Sequence, residues 1–334
     1  MEKKKQVMGA SILFLAIVVI NVGAQFLDLS GLPLYMNILL AQGLIVIPVI
    51  IYLIVTKQNF FEAVRLRKMN IWSVLLLIPV VYLLEPLLVC INAFSMAFST
   101  NVIANTMQDI TDMMPYIAGL SLMALLPALV EELTFRGVMM NSFHRDSNPW
   151  PAIILSAICF GCMHMNFNQI TYALVLGILM GIIVEATGSI LSTVIVHFIY
   201  NGTSTTLLYL MPKVLAWSNS VLEESGMSQQ EIDQAMNMGD AAANVESGQM
   251  LMVAGVMIFP ALMGLALAAL LIYLIAYLNK RHYVLKGMFT KKTPEQKEAM
   301  AADKVRIMNV CLGIAIGLCA AMAILVEVLQ RVKN

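Results

Sequence analysis

The chain has 334 residues, of which 60% are hydrophobic and only 12% are charged. A soluble domain is about half apolar and about one quarter charged, so this composition excludes the soluble globular class and indicates an integral membrane protein. The 20 Lys and Arg balance the 20 Asp and Glu. Because the basic residues are spread over several loops, no nucleic-acid partner is expected.

Nine apolar segments follow one another along the chain, each near the roughly 20 residues that cross a bilayer core as a helix. They lie at about 7–27, 34–55, 71–96, 115–143, 150–165, 169–186, 189–210, 249–278 and 307–327. The first has no small-residue cleavage site and is predicted to be a retained anchor. The pattern predicts an all-α, polytopic transmembrane helix bundle of about eight or nine spans.

The distribution of Lys and Arg between the spans predicts the orientation of the bundle. With the N-terminus in the cytosol, sixteen of these residues fall in inside segments and only three, Lys213, Arg331 and Lys333, fall outside. Cytosolic loops carry an excess of Lys and Arg, so this orientation is favoured. The Met-rich composition without targeting signals indicates a bacterial plasma membrane.

Four regions are expected along the chain. Residues 1–114 form N-terminal spans, 115–210 a core of four helices, 211–248 an acidic extracytoplasmic segment, and 249–334 C-terminal spans with a basic cytosolic loop. Within the acidic segment, Ser228 and Glu231 have the spacing of a capping box, which predicts a short amphipathic helix.

Ionisable side chains within the spans are few, and each costs about 2.5 to 3.5 kcal/mol at the centre of a membrane helix on insertion scales, which favours a functional role. Away from the span ends the set comprises Glu85, Glu131, Glu132, Arg136, His164 and His197, with Asn201 as a polar companion. Glu185 lies near a cytosolic helix end, and we expect its side chain to reach water there.

Helical spacing separates the two adjacent glutamates. Residues four apart share a helix face, so Glu132 and Arg136 are expected to pair, while Glu131 points about 100° away. By the same spacing His197 and Asn201 project from one face.

The second cluster is the "FGCMH" stretch, in which His164 follows Phe160 by four residues. The small residues Gly161 and Cys162 between them allow a second helix to approach closely.

A carboxylate, two imidazoles and a carboxamide that converge in a membrane cavity suit hydrolysis of an amide bond. The carboxylate and one histidine can deprotonate a water, and the other histidine and the amide can donate hydrogen bonds to the oxyanion. The alternative is that these residues are polar contacts between helices, which Asn and His often provide in membranes.

Three motifs resemble those of the CPBP intramembrane proteases, the CAAX-protease and bacteriocin-processing (Abi-type) family. They are "EELTFRG" with Glu131, Glu132 and Arg136, "FGCMH" with Phe160 and His164, and "HFIYN" with His197 and Asn201. The resemblance covers about residues 115 to 205.

This resemblance implies an all-helical membrane fold and endopeptidase activity. Glu131 and His164 would hold the attacking water, and His197 and Asn201 would stabilise the oxyanion. Arg136 would support the site through Glu132, with Phe160 beside it. The substrate would be a membrane-associated peptide or protein at the lipid bilayer: eukaryotic relatives trim prenylated CaaX proteins, whereas bacterial relatives are linked to peptide processing or immunity.

Two questions stay open at the level of sequence. Glu131, His164 and His197 could instead be the three ligands of a catalytic zinc, but no HExxH pattern is present, so we expect that no cofactor is required. The chain could also be a catalytically silent scaffold or immunity factor, or a proton-coupled transporter, although the paired broken helices of transporters are not evident.

Overall fold

The computed structural model describes residues 2–29, 31–100, 111, 113–145, 148–224, 247–295, 297–298 and 306–333. All regular secondary structure in these ranges is helical. We number the helices α1 Glu2–Ala24, α2 Leu34–Thr56, α3 Phe60–Ala63, α4 Ile71–Met96, α5 Tyr116–Phe143, α6 Trp150–Met163, α7 Phe167–Thr187, α8 Leu191–Glu224, α9 Ser247–Leu278, α10 His282–Phe289 and α11 Val310–Lys333.

Seven of these helices, α1, α2, α4, α5, α7, α9 and α11, are long and apolar enough to cross a membrane. The predicted all-α, polytopic bundle is therefore confirmed, with a span count close to the expected one. The helices form one bundle in which α4 packs along α9, α6 along α7, and α1 along α11.

Two of the nine predicted spans differ from the structure. The segment at 150–165 forms α6, which has only 14 residues and is about 21 Å long, less than the roughly 30 Å hydrocarbon core. It ends at Met163 because Met165 has a positive φ of 52° and Asn166 caps the start of α7 by accepting a hydrogen bond from Gln169 N. The segment at 189–210 is part of α8, a much longer helix of 34 residues.

Helix α5 is a continuous helix of mixed type. Its α-helical turns are interrupted by two π-helical segments, Ser121–Leu125 and Leu133–Met139. π-Helical turns are rare and occur frequently at functional sites. The second begins immediately after Glu132, the last residue of the α-helical segment Leu126–Glu132.

The contact between α6 and α7 depends on glycine. A Cβ added at Gly161 would lie 3.0 Å from the carbonyl oxygen of Ile170, and one added at Gly177 would lie 2.9 Å from the Cβ of Ala157. The close helix approach predicted from Gly161 is confirmed.

We call one end of the bundle the basic end. Here the loop after α3 meets the end of α7 and the start of α8, since Ile190 N donates to Arg65 O at 3.1 Å and Ser189 Oγ donates to Arg67 O at 2.6 Å. Trp150 Nε1 of α6 donates to Met288 O of α10 at 3.1 Å. Arg65 and Arg67 of the loop after α3 and Arg281 of the loop after α9 lie at this end.

Glu185 lies at the basic end, but its environment differs from the one predicted. Its side chain is fully buried rather than solvated. Arg65 Nη1 lies 2.6 Å from Glu185 Oε1, and Arg281 Nη2 lies 3.2 Å from Oε2, while Arg281 Nε donates to the Glu185 carbonyl at 2.7 Å. The expectation of snorkelling was wrong because two arginines distant in sequence reach the carboxylate and replace water.

We call the other end of the bundle the opposite end. There α4 ends beside the start of α7, since Ser95 Oγ donates to Phe167 O at 3.3 Å, and Arg331 Nη2 near the end of α11 donates to Phe98 O at 2.8 Å. Helix α8 continues through residue 211, where the acidic segment was expected to begin, as far as Glu224. The predicted short helix at Ser228 to Glu231 lies outside the described residues.

Candidate active site

One cavity of about 410 Å³ lies inside the bundle between α5, α6, α7 and α8, with α4 at its edge. Its lining comprises Asn92, Met123, Pro127, Glu131, Phe160, His164, Asn168, Gln169, Tyr172, Ala173, Leu176, His197, Tyr200, Asn201, Ser204 and Thr205. All four side chains predicted to be catalytic are in this set, although they come from three helices. Glu132 and Arg136 lie behind the cavity wall.

Glu131 reaches the cavity from the last α-helical turn before the second π-helical segment of α5. Its side chain is largely buried, with 9% of the residue exposed. The described partner of its Oε1 atom is Gln42 of α2, whose Nε2 donates to it at 3.4 Å. The carboxylate therefore lines the cavity and has a weak contact with a neutral amide of α2.

Glu132 and Arg136 form the predicted pair, with 2.8 Å between Glu132 Oε1 and Arg136 Nη1 and both side chains fully buried. The guanidinium carbon also lies 4.1 Å from the centroid of the Phe160 ring. A cation over an aromatic face is stabilised by the quadrupole of the ring. Phe160 thus connects the ion pair in α5 to the histidine motif in α6.

His197 contacts both glutamates. Its Nδ1 lies 3.0 Å from Glu132 Oε1, and its Nε2 lies 3.9 Å from Glu131 Oε2. Glu132 already accepts a hydrogen bond from Arg136, and a carboxylate in an ion pair only accepts hydrogen bonds. The Nδ1 atom of His197 therefore carries a hydrogen and donates it to Glu132. The imidazole is thereby oriented with Nε2 directed toward Glu131 and the cavity.

His164 follows the last residue of α6, at the point where the chain turns into α7. Its ring packs edge to face against Phe160 with 5.4 Å between centroids, and Phe160 packs in the same way against His197 at 6.0 Å. One aromatic ring therefore separates and positions the two imidazoles.

Asn201 lies one turn beyond His197 on α8, as the spacing predicted. Its Nδ2 donates to Met123 O in the first π-helical segment of α5, at 3.4 Å. A carboxamide nitrogen carries two hydrogens, so the second is available to a bound molecule. Thr205 Oγ1 donates to the Asn201 carbonyl at 2.8 Å.

Sequence reasoning missed the neutral polar part of the site. Asn92, Asn168 and Gln169 line the cavity, and Asn168 Nδ2 donates to Asn92 Oδ1 at 3.0 Å. The search for ionisable residues passed over these amides, as it passed over Gln42. Carboxamides inside apolar spans were a signal that could have found them.

The two histidines and Glu131 do not form a metal site as they stand. Within the described ranges, no group of three His, Cys, Asp or Glu side chains is placed to hold an ion. The Nδ1 atom of His197 lies 3.0 Å from Glu132 Oε1, and its Nε2 atom lies 3.9 Å from Glu131 Oε2. We therefore derive no step through a metal.

Residues 114–203 match the family model described as type II CAAX prenyl endopeptidase Rce1-like. The match includes all three motifs and the cavity-lining residues from Met123 to Asn201. It supports assignment of the chain to the CPBP and CAAX protease family, as the motifs indicated. The match over residues 114–203 and the seven apolar helices together support a multi-pass membrane protein with a CAAX-protease-like segment. No curated protein and no solved structure matches the chain.

Proposed function

We propose that this chain is an intramembrane endopeptidase that hydrolyses a peptide bond within the cavity between α5 and α8. The observation that carries this proposal is the convergence of Glu131, His164, His197 and Asn201 on one cavity from three helices. Buried ionisable groups are costly in a membrane. All four side chains line one space that is large enough for a peptide segment. This arrangement supports a catalytic role rather than a role as separate polar contacts between helices.

The first step is attack of a water on the scissile carbonyl carbon. Glu131 is the general base that removes a proton from this water, and His164, which lines the same cavity, positions the water by a hydrogen bond. As the new C–O bond forms, the carbonyl π electrons move to the oxygen. The C–N bond then breaks, and the proton held by Glu131 passes to the leaving amine.

His197 and Asn201 act on the oxyanion. Because Nδ1 of His197 donates to Glu132, Nε2 donates to an oxyanion only when the ring is protonated. In that form Nε2 carries a hydrogen on the side of the ring that faces Glu131, whose Oε2 lies 3.9 Å away. The free hydrogen of the Asn201 amide supplies the second donor. This gives Glu132 a positioning role that helix spacing alone did not reveal.

We further propose that this chemistry needs no bound metal and that the protein resides in a bacterial plasma membrane with its N-terminus in the cytosol. The basic end of the bundle carries most of the Lys and Arg, which supports the orientation. The substrate is then a membrane-associated peptide or protein that reaches the cavity from the bilayer or its surface.

Peptide mass spectrometry of membranes tests the proposal. Cells that express the wild-type chain should contain cleavage products absent from cells that express Glu131→Gln at equal protein level. Glu85→Gln is the matched control, since Glu85 is a half-buried carboxylate of α4 outside the cavity lining, and it should preserve the products. Identical peptide profiles for wild type and Glu131→Gln would contradict the proposal.

A further inference from the structure

The segment that leads from α6 into α7 carries a chain of hydrogen bonds that ends in the cavity. Its first bond is fixed by the backbone, since Gln169 N donates to Asn166 Oδ1 at 2.9 Å. A backbone N–H can only donate, so the other end of the Asn166 amide is its NH2 group. That group donates to His164 O at 2.9 Å and to Gln169 Oε1 at 2.6 Å. The direction of each of these bonds is therefore determined.

The same reasoning fixes the next bond, which reaches Tyr172. Because Gln169 Oε1 accepts from Asn166, the other end of the Gln169 amide is its NH2 group, and Nε2 donates to the Tyr172 hydroxyl oxygen at 3.3 Å. A phenolic hydroxyl has one hydrogen of its own, which this bond does not use. Within the described part of the chain, that hydrogen has no acceptor. The Tyr172 hydroxyl is therefore available as a hydrogen-bond donor.

This donor belongs to a face of α7 that lines the cavity. Asn168, Tyr172 and Leu176 are spaced four residues apart, so they share one face of the helix, and all three line the same cavity as Glu131 and His164. The rise along the helix axis from the first to the last of them is about 12 Å. An extended chain of about three to four residues has this length.

An extended peptide presents the acceptor that this donor lacks, because each backbone carbonyl is an obligatory hydrogen-bonding group. The carbonyl of the scissile bond is already assigned to His197 and Asn201 of α8. We propose that the Tyr172 hydroxyl donates a hydrogen bond to a different backbone carbonyl of an extended peptide that lies along α7. Asn166 and Gln169 are then positioning residues, since they leave this hydrogen free for the peptide. The inference rests on the proposed peptidase function.

The contact defines a conformational class of substrate. Every residue of a peptide has a backbone carbonyl, so Tyr172 does not select a particular side chain. In an α-helix the carbonyls inside the helix already accept hydrogen bonds from residues four positions later. The substrate is therefore a segment that is extended, or that unwinds, where it passes Tyr172.

Removal of the hydroxyl tests the proposal by steady-state kinetics of purified variants in detergent. The probe is a quenched fluorescent peptide whose sequence spans a cleavage site identified by the comparison of wild-type and Glu131→Gln membranes. Tyr172→Phe should raise KM about two- to tenfold at unchanged kcat, the effect of losing one neutral hydrogen bond in binding. The matched control is Tyr82→Phe, which removes the hydroxyl of an exposed tyrosine outside the lining and should preserve KM. Unchanged KM in Tyr172→Phe, or a loss of kcat alone, would overturn the inference.

Asn166→Asp tests the hydrogen-bond chain without changing a residue of the cavity lining. The aspartate still accepts from Gln169 N, but it has no NH2 group, so its second oxygen accepts from Gln169 Nε2. The Gln169 amide is then reversed, and its Oε1 accepts the Tyr172 hydrogen in place of the peptide. KM should rise about two- to tenfold, and the same substitution should not raise KM further in the Tyr172→Phe background. KM effects that multiply in the double variant would overturn the inference.

Changes in the backbone of the peptide test the acceptor directly. The carbonyl oxygens of the quenched peptide are replaced one at a time by sulfur, which is a weaker acceptor. At one position outside the scissile bond, the replacement should raise KM for wild type and leave KM of Tyr172→Phe unchanged. Equal changes in KM for the two proteins at every position would overturn the inference and leave the peptidase function intact. If purified wild type cleaves no peptide, the peptidase function fails, and the inference fails with it.

Discussion

At the scale of single residues, the adjacent carboxylates Glu131 and Glu132 have different surroundings. Glu131 faces the cavity and has one weak amide contact, with Gln42. Glu132 is fully buried and contacts both Arg136 and His197. The first environment suits a base that must exchange protons with water, and the second suits a fixed acceptor that orients its neighbours.

The two amide substitutions at these positions should therefore have different effects. We expect Glu131→Gln to abolish peptide cleavage with little loss of thermal stability, because it removes the base and leaves the packing. Glu132→Gln should lower stability by about 3–5 kcal/mol, the range for breaking a buried ion pair from one side, and leave partial activity. Purified variants in detergent are compared by peptide cleavage and thermal unfolding. Full activity of Glu131→Gln together with complete loss in Glu132→Gln would reverse the assignment.

Substitution of either oxyanion donor should lower kcat and kcat/KM together. His197→Ala and Asn201→Ala each remove one donor that acts on the transition state, for which a loss of about 10²- to 10³-fold in kcat is typical. Steady-state kinetics with a quenched peptide measure both parameters. A raised KM at unchanged kcat would assign these side chains to substrate binding instead.

At the scale of helices, the contact between α6 and α7 holds His164 near the cavity. Gly177 of α7 faces Ala157 of α6. A Cβ atom added at Gly177 would also lie 3.2 Å from Arg136 Nη2. Both neighbours are buried, so neither has room to move.

Gly177→Ala should accordingly destabilise the protein by about 1–3 kcal/mol through overpacking and should lower activity because Arg136 and Glu132 shift. Gly255→Ala in α9 is the matched control, since nothing lies within 4 Å of its added Cβ. Thermal unfolding in detergent and peptide cleavage are the two measurements. Equal behaviour of the two variants would show that the α6 to α7 contact tolerates a methyl group.

The positions of the long helices were predictable from sequence because an apolar segment of about 20 residues crosses a bilayer as a helix. The residues that share a helix face were predictable because side chains four residues apart lie on the same side. The pairing of Glu132 with Arg136 followed from that spacing alone. The shortness of α6 was not predictable in the same way, since it depends on a positive φ at Met165, a conformation that the identity of Met does not indicate. The π-helical segments of α5 were likewise not predictable, because no periodic pattern in the sequence distinguishes them from α-helical turns.

At the scale of the whole molecule, the contacts that sequence could not supply join residues distant along the chain. Glu185 is neutralised by Arg65 and Arg281, which lie on opposite sides of it in sequence. His197 of α8 contacts Glu132 of α5. The spacing of residues along a sequence predicts which side chains share a face of one helix. It does not predict contacts between different helices, so these ion pairs and the amide lining of the cavity are seen only in the three-dimensional structure.

The central claim is that Glu131 activates water for peptide hydrolysis without a metal. The most direct measurement is the cleavage rate of a quenched peptide by purified protein, after exhaustive chelation and with metal content determined, for wild type and Glu131→Gln. We predict that wild type remains active with far less than one zinc per chain and that Glu131→Gln is inactive. Activity that disappears on chelation and returns with zinc, or equal rates for the two proteins, would contradict this mechanism.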